Sequence, residues 1–170
     1  MSTPDSLAVL SSPSVERVRA ALAERAFVGE IVALPGSART AQAAADALGC
    51  DAAQIANSLV FRRAESGAPV LVMASGANRV DPARLETILG EPVAKADAAF
   101  VREHTGLAIG GVAPVGHPNP ISTIVDRSLQ AYPAIWAAAG HPHTVFQLTF
   151  AELVRITGGL IADVAQEKRE

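Results

Sequence analysis

The 170-residue sequence contains a single cysteine, few aromatic residues and no excess of positive charge. Because Cys50 has no second cysteine to pair with, an internal disulfide is excluded, which is typical of a reducing compartment. Aromatic residues make up only 4% of the chain, so we expect a core of small aliphatic side chains. The formal net charge of −3 argues against a protein that coats long nucleic acid by charge alone. It does not exclude a protein that binds only the end of an RNA.

Several sequence signals of other protein classes are also missing. No uninterrupted apolar run is long enough to cross a membrane, and residues 1–5 lack the basic and apolar regions of a signal peptide. There is no P-loop signature, and the glycines near position 110 are followed by prolines and a strand pattern, which disfavours a dinucleotide-binding loop. Since the arginines are scattered, DNA binding is not expected. We therefore expect a cytoplasmic protein that binds neither membrane nor DNA.

The composition of the chain is typical of a folded domain. Hydrophobic residues make up 49% of the chain and charged residues 18%, and 170 residues suit one domain with a substantial core. We expect an N-terminal arm at residues 1–12, loose over residues 1–11, a single domain at residues 13–165, and a charged tail at residues 166–170.

Helix and strand patterns follow one another irregularly along the predicted domain. Helices are expected to begin after Ser12, Asp81 and Thr149, which favour a helix N-terminus, and further helices are expected at 40–48 and 97–104. Short helical turns are expected after Asp51 and over 126–132. Strands are predicted at 27–34, 58–62, 69–74, 92–95, 121–125, 134–138, 144–148 and 160–164. The second and third of these are expected to form a hairpin. The irregular order predicts an α/β fold of the α+β type, with a sheet of mixed direction.

The most distinctive stretch is the loop at residues 107–120, which contains three glycines and three prolines. Glycine lets the backbone approach another atom closely, and proline fixes φ and removes a hydrogen-bond donor. A stiff loop with bare N–H groups suits a polar ligand. A tight crossing between two strands explains the same composition equally well.

The histidines and the cysteine carry weaker signals. His141 and His143 alternate as they would on one face of a strand, but no third ligand is evident nearby, so no metal site is expected. Cys50 is expected to be a buried or helix-end thiol, and His104 and His117 are expected at the surface. The glycine and proline that flank His141 suit a positioned side chain, or equally a loop histidine bonded to a carbonyl.

Four segments of the sequence resemble the YbaK/ProX family of aminoacyl-tRNA editing domains, which is related to the editing insertion of bacterial prolyl-tRNA synthetase. They are TAQAAADALG at 40–49, QIANSLVF at 54–61, TGLAIGGVAPVG at 105–116 and AGH at 139–141. The resemblance spans residues 13–165 and implies a mixed α/β domain with a curved, barrel-like sheet. It implies a trans-editing deacylase that hydrolyses the ester of a small amino acid mischarged on tRNA, chiefly tRNA(Pro). The implied partners are the acceptor end of that tRNA and a prolyl-tRNA synthetase, and no metal or cofactor is implied.

The resemblance also assigns roles to individual residues. Gly110 and Gly111 would bind the ester carbonyl through backbone N–H groups as negative charge develops on it. His141 matches the pocket histidine of the family and would orient the terminal ribose or the attacking water. Together with Asn57 these residues form the implied catalytic set, and the residues assigned to substrate binding are Ser58, Ser75, Pro114 and Gly116. Because the family mechanism is thought to depend on the 2′-hydroxyl of the substrate, the lack of a catalytic triad does not contradict the resemblance.

Asn57 departs from the family pattern I-x-K-[ST]-L-V-F, in which a lysine is usual. Lysine would offer a positive charge, whereas asparagine offers a neutral donor and acceptor. The substrate preference could therefore have shifted, with charge supplied by Arg62, Arg63 or Arg79. Alternatively, the chain is a non-catalytic relative that binds tRNA or a small ligand. Asn57 could also simply cap the short helix before the strand.

Overall fold

The computed structural model describes residues 4–35 and 40–167. The helices are α1 Pro4–Leu10, α2 Pro13–Glu24, α3 Ala41–Leu48, α4 Pro82–Leu89, α5 Ala98–Thr105 and α6 Phe150–Thr157. The strands are β1 Ile31–Ala33, β2 Ile55–Arg63, β3 Pro69–Ser75, β4 Val93–Lys95, β5 Ser122–Asp126, β6 Ile135–Ala138, β7 Thr144–Leu148 and β8 Leu160–Ala162. Two short 3₁₀ turns lie at Ala52–Gln54 and Arg127–Ala131.

The helices begin where the capping residues predict. Thr40 accepts a hydrogen bond from the Ala43 N–H at the start of α3 (3.0 Å), and Thr149 forms a reciprocal capping box with Glu152 at the start of α6. Helices α3, α4, α5 and α6 each end at a glycine in the left-handed conformation, which glycine adopts without steric strain. These local signals therefore fix the bounds of most helices.

The strands form one mixed sheet in the order β1-β7-β6-β2-β3-β5-β8, with β4 paired to the far end of β2. The parallel pairs are β2/β6, β3/β5 and β5/β8, and the antiparallel pairs are β1/β7, β6/β7, β2/β3 and β2/β4. The predicted mixed-direction sheet and the β2–β3 hairpin are confirmed. Strand β3 lies near the centre, and its residues 70–73 are fully buried, as its uninterrupted apolar run predicts.

Three clusters of apolar side chains hold the helices on the sheet. The largest packs α2, α5, α6 and the glycine-rich loop together, and in it the rings of Phe27 and Phe146 meet edge to face at 5.4 Å. A second cluster surrounds Leu85 of α4, and a third joins α3 to Ile55 and Val145. This third cluster forms one side of the cavity described below. Within the described residues, no helix is long and apolar enough to cross a membrane.

Several local expectations are wrong. Residues 4–10 form helix α1 rather than a loose arm, since Leu10 packs against the main core. The strand expected at 27–34 is confined to β1, because Ala26 has a positive φ of 52° and the chain turns there to bury Phe27. His104 and His117 are both half-buried rather than at the surface. The His104 ring lies 4.2 Å from the Phe100 ring, and the His117 Nε2 lies 2.8 Å from the Ala113 carbonyl. Residues 1–3 of the expected arm and 168–170 of the expected tail lie outside the described residues.

Candidate functional site

A cavity lies beside β2, between the point where its pairing with β6 ends and the point where its pairing with β4 begins. Strand β6 pairs with β2 only as far as Ala56, and β4 begins to pair with β2 at Phe61. The cavity at this fork has a volume of about 130 Å³. Its lining residues are Leu34, Thr40, Ala41, Ala44, Ile55, Ala56, Asn57, Ser58, Gly110, Val112, Trp136, Ala137, Ala138, Pro142, Thr144 and Val145.

Small side chains dominate the walls of this cavity. Ala41 and Ala44 come from one side of α3, and Ala137 and Ala138 come from β6. Trp136 supplies the one aromatic ring among the described lining residues. Walls of this kind leave room for a small, mainly apolar group and exclude a bulky one.

The polar side chains of the cavity differ in how far they are already bonded. The Thr144 hydroxyl donates to the His141 carbonyl (3.1 Å), and the Ser58 hydroxyl donates to the Met73 sulfur (3.3 Å). The Asn57 side chain is exposed and has no hydrogen bond to any other described residue. Among the described lining residues none is ionisable. Asn57 therefore has a polar side chain that is free to bind a ligand.

The glycine-rich loop meets the cavity at a tight turn. The Gly111 N–H donates to the Ala108 carbonyl (2.9 Å), and Gly110 has a φ of 93°, as the third residue of a type II turn requires. Exposed Ile109 stands at the tip of this turn. Since the Gly111 N–H is already bonded within the turn, it is not free for an ester carbonyl, contrary to the role that the sequence resemblance implies.

Gly111 is needed for a close approach to His141. A Cβ atom at Gly111 would lie 2.8 Å from both Cα and the carbonyl carbon of His141. On the far side, a Cβ at Gly140 would lie 2.8 Å from the Ser14 carbonyl oxygen of α2, and Gly140 has a φ of 106°. The turn before β7 is thus held between the loop and α2 by two backbone contacts that only glycine permits.

His141 lies in this turn, behind the cavity wall. Its Nδ1 accepts a hydrogen bond from the His143 N–H (3.1 Å), which leaves the proton of a neutral ring on Nε2. Burial, and then the neighbouring charge of His143, lower the pKa of His141. Both histidines precede β7, which begins at Thr144, so they do not share a strand face as expected, although their rings lie 5.3 Å apart. Within the described residues, no three His, Cys, Asp or Glu side chains are grouped to hold a metal ion.

The structure brings only some of the sequence-assigned residues together. Asn57, Ser58 and Gly110 line the cavity, and Gly111 and His141 meet directly behind it. Pro114 is buried away from the cavity lining, and Gly116 lines a separate groove against α2. These last two residues do not line the cavity, since the loop leaves it after Val112 and reaches α2 at Gly116.

Ser75 also lies outside the cavity lining. Its hydroxyl donates to the Ala53 carbonyl (2.8 Å), and its N–H donates to the Asp126 carboxylate (3.0 Å). The same carboxylate accepts from the Asn78 side chain and from the Ser128 N–H. Ser75 is thus part of a buried polar cluster that joins β3 to the end of β5, and it does not reach the cavity lining.

The three arginines considered as replacements for a lysine at position 57 are not lining residues. Arg62 lies over the Phe100 ring, with its guanidinium carbon 5.5 Å from the ring centre. Arg63 forms an ion pair with Glu91 at 3.8 Å, and Arg79 is exposed. None of the three supplies charge to the cavity in this conformation.

Sequence reasoning missed the α3 and β6 walls. The alanines at 41 and 44 read as ordinary small residues of an alanine-rich helix, and Trp136 reads as a strand residue. The spacing of three between the two alanines was the available signal that they share one helix face. Nothing in the sequence indicates that this face meets β6 across the end of β2.

Known proteins are similar to this chain in fold and in sequence. Residues 36–156 match the family model described as an aminoacyl-tRNA editing domain. A solved structure, described as a candidate trans-editing enzyme for prolyl-tRNA synthetase, is 44% identical with a TM-score of 0.87 and covers 92% of this chain and 99% of its own. The uncharacterised protein YwhH of Bacillus subtilis is 28% identical over 140 residues, which are 82% of this chain and 88% of YwhH. The proline–tRNA ligase of Limosilactobacillus fermentum is 31% identical over 102 residues, which are 58% of this chain and 18% of the ligase.

Proposed function

The chain belongs to the aminoacyl-tRNA editing domain family, and from this premise we propose that it is a trans-editing deacylase for tRNA that carries a wrong small amino acid. In this reaction water adds to the ester carbonyl carbon and the bond from that carbon to the ribose oxygen breaks. The products are the free amino acid and a tRNA with its terminal hydroxyl restored. The observation that carries the proposal is the small alanine-walled cavity beside Asn57.

The size of the cavity supports a small amino acid as the part that is recognised. A side chain enclosed by Ala41, Ala44, Ala137 and Ala138 has room for only a few heavy atoms, and each added methylene would have to displace a wall. Steric exclusion of this kind spares correctly charged tRNA if the correct amino acid is larger. The relatives linked to prolyl-tRNA synthesis make tRNA(Pro) the proposed carrier.

The lining residues also bear on how the attacking water is activated. Since none of the described lining side chains is ionisable, the cavity itself offers no general base. The vicinal 2′-hydroxyl of the terminal ribose can direct the water instead, as the family resemblance implies. In this arrangement Asn57 orients the substrate through neutral hydrogen bonds, and His141 supports the cavity wall.

The remaining surface supports contact with the acceptor end rather than with the whole tRNA. The net charge is −3, and Arg62 and Arg63 are already engaged with Phe100 and Glu91. We propose that the protein acts in the cytoplasm, where it takes its substrate after release from a prolyl-tRNA synthetase.

The second candidate function is a binding protein that retains the cavity without hydrolysing the ester. Asn57 favours this alternative, because it stands where the family pattern has a lysine and no arginine replaces that charge among the described lining residues. Such a protein would bind the aminoacyl end of tRNA, or a small ligand, and leave it intact.

The deciding experiment is single-turnover deacylation of tRNA(Pro) charged with Ala, Cys, Ser, Thr, 2-aminobutyrate or Pro. Editing predicts rapid loss of at least one small amino acid while prolyl-tRNA is spared. Absence of hydrolysis above background across the panel, with tRNA still bound, would instead identify the binding protein.

The variant Asn57→Lys separates the two functions further. It should lower or redirect hydrolysis if asparagine suits the present substrate, and should raise hydrolysis sharply if the missing lysine is the defect. Asn119→Lys is the matched control, because Asn119 is an exposed asparagine outside the cavity and receives the same added charge. A similar gain in both variants would mean that charge merely attracts tRNA.

A further inference from the structure

The residues of β2 direct their backbone groups alternately toward its two sides. On one side β2 faces β3, where the Gly76 N–H donates to the Ile55 carbonyl (2.8 Å) and the Arg63 N–H donates to the Ala68 carbonyl (2.9 Å). In an antiparallel pair, alternate residues exchange both backbone bonds with the partner. The odd-numbered residues of β2 therefore use their backbone groups on β3.

The even-numbered residues of β2 point to the opposite side. The Ala96 N–H donates to the Val60 carbonyl (3.1 Å), and the Ala64 N–H donates to the Pro92 carbonyl (2.8 Å). Strand β4 and its flanking residues therefore bond this side of β2 toward its C-terminal end. At the N-terminal end of β2, strand β6 pairs with Ile55 and Ala56, and this pairing ends at Ala56. Two neighbours thus share one side of β2 and leave a gap between them.

Ser58 is the even-numbered residue in this gap. Its backbone N–H and carbonyl face away from β3 and have no strand partner within residues 4–35 and 40–167. Ser58 also lines the cavity, so this gap in the strand pairing lies beside the cavity. A backbone donor and acceptor that face a pocket are strong, unsatisfied hydrogen-bonding groups.

An α-aminoacyl ester carries the complement of these two groups. It presents an ammonium donor and a carbonyl acceptor on either side of one α-carbon, in the same order as a residue of a β-strand. We propose that the main chain of Ser58 binds the aminoacyl group as a one-residue strand addition. The Ser58 N–H donates to the ester carbonyl, and the Ser58 carbonyl accepts from the α-ammonium. This inference rests on the proposed substrate class.

The two bonds have different consequences for the reaction. The N–H bond strengthens as negative charge develops on the ester oxygen, so it stabilises the transition state more than the bound ester. The carbonyl bond recognises a free α-amino group and is indifferent to the side chain, which is left to the alanine walls. Ser58 thereby supplies the carbonyl donor that Gly111 cannot supply, since the Gly111 N–H is bonded to Ala108.

The first test removes the donor. In Ser58→Pro the N–H is lost without breaking a ladder bond, since that N–H faces the gap. We expect single-turnover deacylation to fall about 100-fold or more, with the thermal midpoint recording that the chain still folds. Ser58→Ala, which keeps the N–H and loses only the hydroxyl, should fall much less. Equal losses in the two variants would overturn the proposal.

The role of the Ser58 carbonyl as an acceptor is tested by changing the substrate rather than the protein. With the unaltered protein, propionyl-tRNA, which lacks only the α-amino group of alanyl-tRNA, should be hydrolysed at least about tenfold more slowly, because it loses a charged hydrogen bond. Rates that are equal after correction for the intrinsic lability of the two esters would contradict the carbonyl bond.

The last test does not depend on hydrolysis. A 3′-alanylamido analogue of adenosine, which cannot be deacylated, is titrated into ¹⁵N-labelled protein. The Ser58 amide proton should move downfield and exchange more slowly, and a propionylamido analogue should bind more weakly. Hydrolysis by a protein whose Ser58 amide does not respond, or failure of the analogue to bind, overturns the main-chain inference alone. A Ser58 response in a protein that hydrolyses nothing keeps the inference and overturns the deacylase.

Discussion

Two clusters of serine and asparagine lie on neighbouring strands, and they differ in their hydrogen bonding. Ser75 and Asn78, at the end of β3, both donate to the buried carboxylate of Asp126. Asn57 and Ser58 lie on β2, with Ala56 paired directly to Ser75, yet the Asn57 side chain is exposed and unbonded among the described residues. The residue types are the same, but only the second cluster leaves polar groups for a ligand.

The comparison teaches that the hydrogen-bond partners, rather than the residue types, separate a structural cluster from a candidate site. A buried polar group that is fully bonded stabilises the fold, and its removal leaves a partner unsatisfied. A polar group left open at a cavity contributes little to folding and is available for binding. Substitutions around Asp126 should therefore lower stability, and those around Asn57 should lower activity.

Removal of the carboxylate is the strongest challenge to this division. Asp126→Ala leaves the Ser75 and Ser128 N–H groups without their acceptor and leaves the Asn78 amide only the Ser128 hydroxyl, so it should lower the free energy of unfolding by about 3–5 kcal/mol. Urea denaturation measures this change. Asp163→Ala is the control, since that exposed carboxylate makes only a surface ion pair with Arg127 and should cost less than about 1 kcal/mol. Similar losses in both variants would remove the structural role of the cluster.

Gly111 provides a second comparison, because it lies directly behind the cavity lining but its N–H is already bonded, like the groups of the structural cluster. In Gly111→Ala the added Cβ presses on the His141 backbone, so we expect a loss of about 1–3 kcal/mol in unfolding free energy together with slower deacylation. Gly90→Ala is the matched control: its left-handed φ of 80° brings strain, but no atom lies within 4 Å of the new Cβ. Deacylation that falls equally in both would reflect stability alone.

The two serine and asparagine clusters can be compared directly through Ser75→Ala and Asn57→Ala. Ser75→Ala leaves the Ala53 carbonyl without its hydroxyl donor and should cost about 1–2 kcal/mol while deacylation by the folded protein is retained. Asn57→Ala should change stability by less than about 0.5 kcal/mol and reduce deacylation. The opposite pattern, with Asn57 the more stabilising residue, would reverse the assignment of the two clusters.

Sequence patterns predicted most of this fold, because the deciding interactions are local. Asp81 and Thr149 cap the helices that follow them, as predicted, and alternating or continuous apolar runs locate the strands. The bounds of β1 escaped prediction, since they depend on how Phe27 meets Phe146 from the distant end of the chain.

The candidate site was predictable only in part. Asn57 and Gly110 were found through the family resemblance, and the structure places both at the cavity. Ser75 could not be separated from Ser58 by sequence, because the acceptor of its N–H is Asp126, 51 positions further on. The fork between β6 and β4 has no local signature either, since strand pairing is set by elements far apart in the chain.

The smallest expected effect concerns two histidines, His117 within the glycine-rich loop and His141 in the turn that packs against it. Burial lowers the pKa of His117, against the opposing hydrogen bond to the Ala113 carbonyl, and burial also lowers the pKa of His141. A lowered pKa means that the folded chain disfavours the charged ring, so stability is complete above the unfolded pKa of about 6.5 and falls as the pH drops through the folded value.

His117→Gln should therefore flatten the decline in unfolding free energy between about pH 7 and pH 5, a range that lies on both sides of the unfolded pKa. Glutamine keeps an N–H donor for the Ala113 carbonyl and does not titrate. His141→Gln should flatten it less, because that ring is the less buried of the two, but should disturb the cavity wall by removing the acceptor of the His143 N–H. Urea denaturation across this pH range measures both slopes, and an unchanged slope in His117→Gln would show that its burial is not coupled to folding.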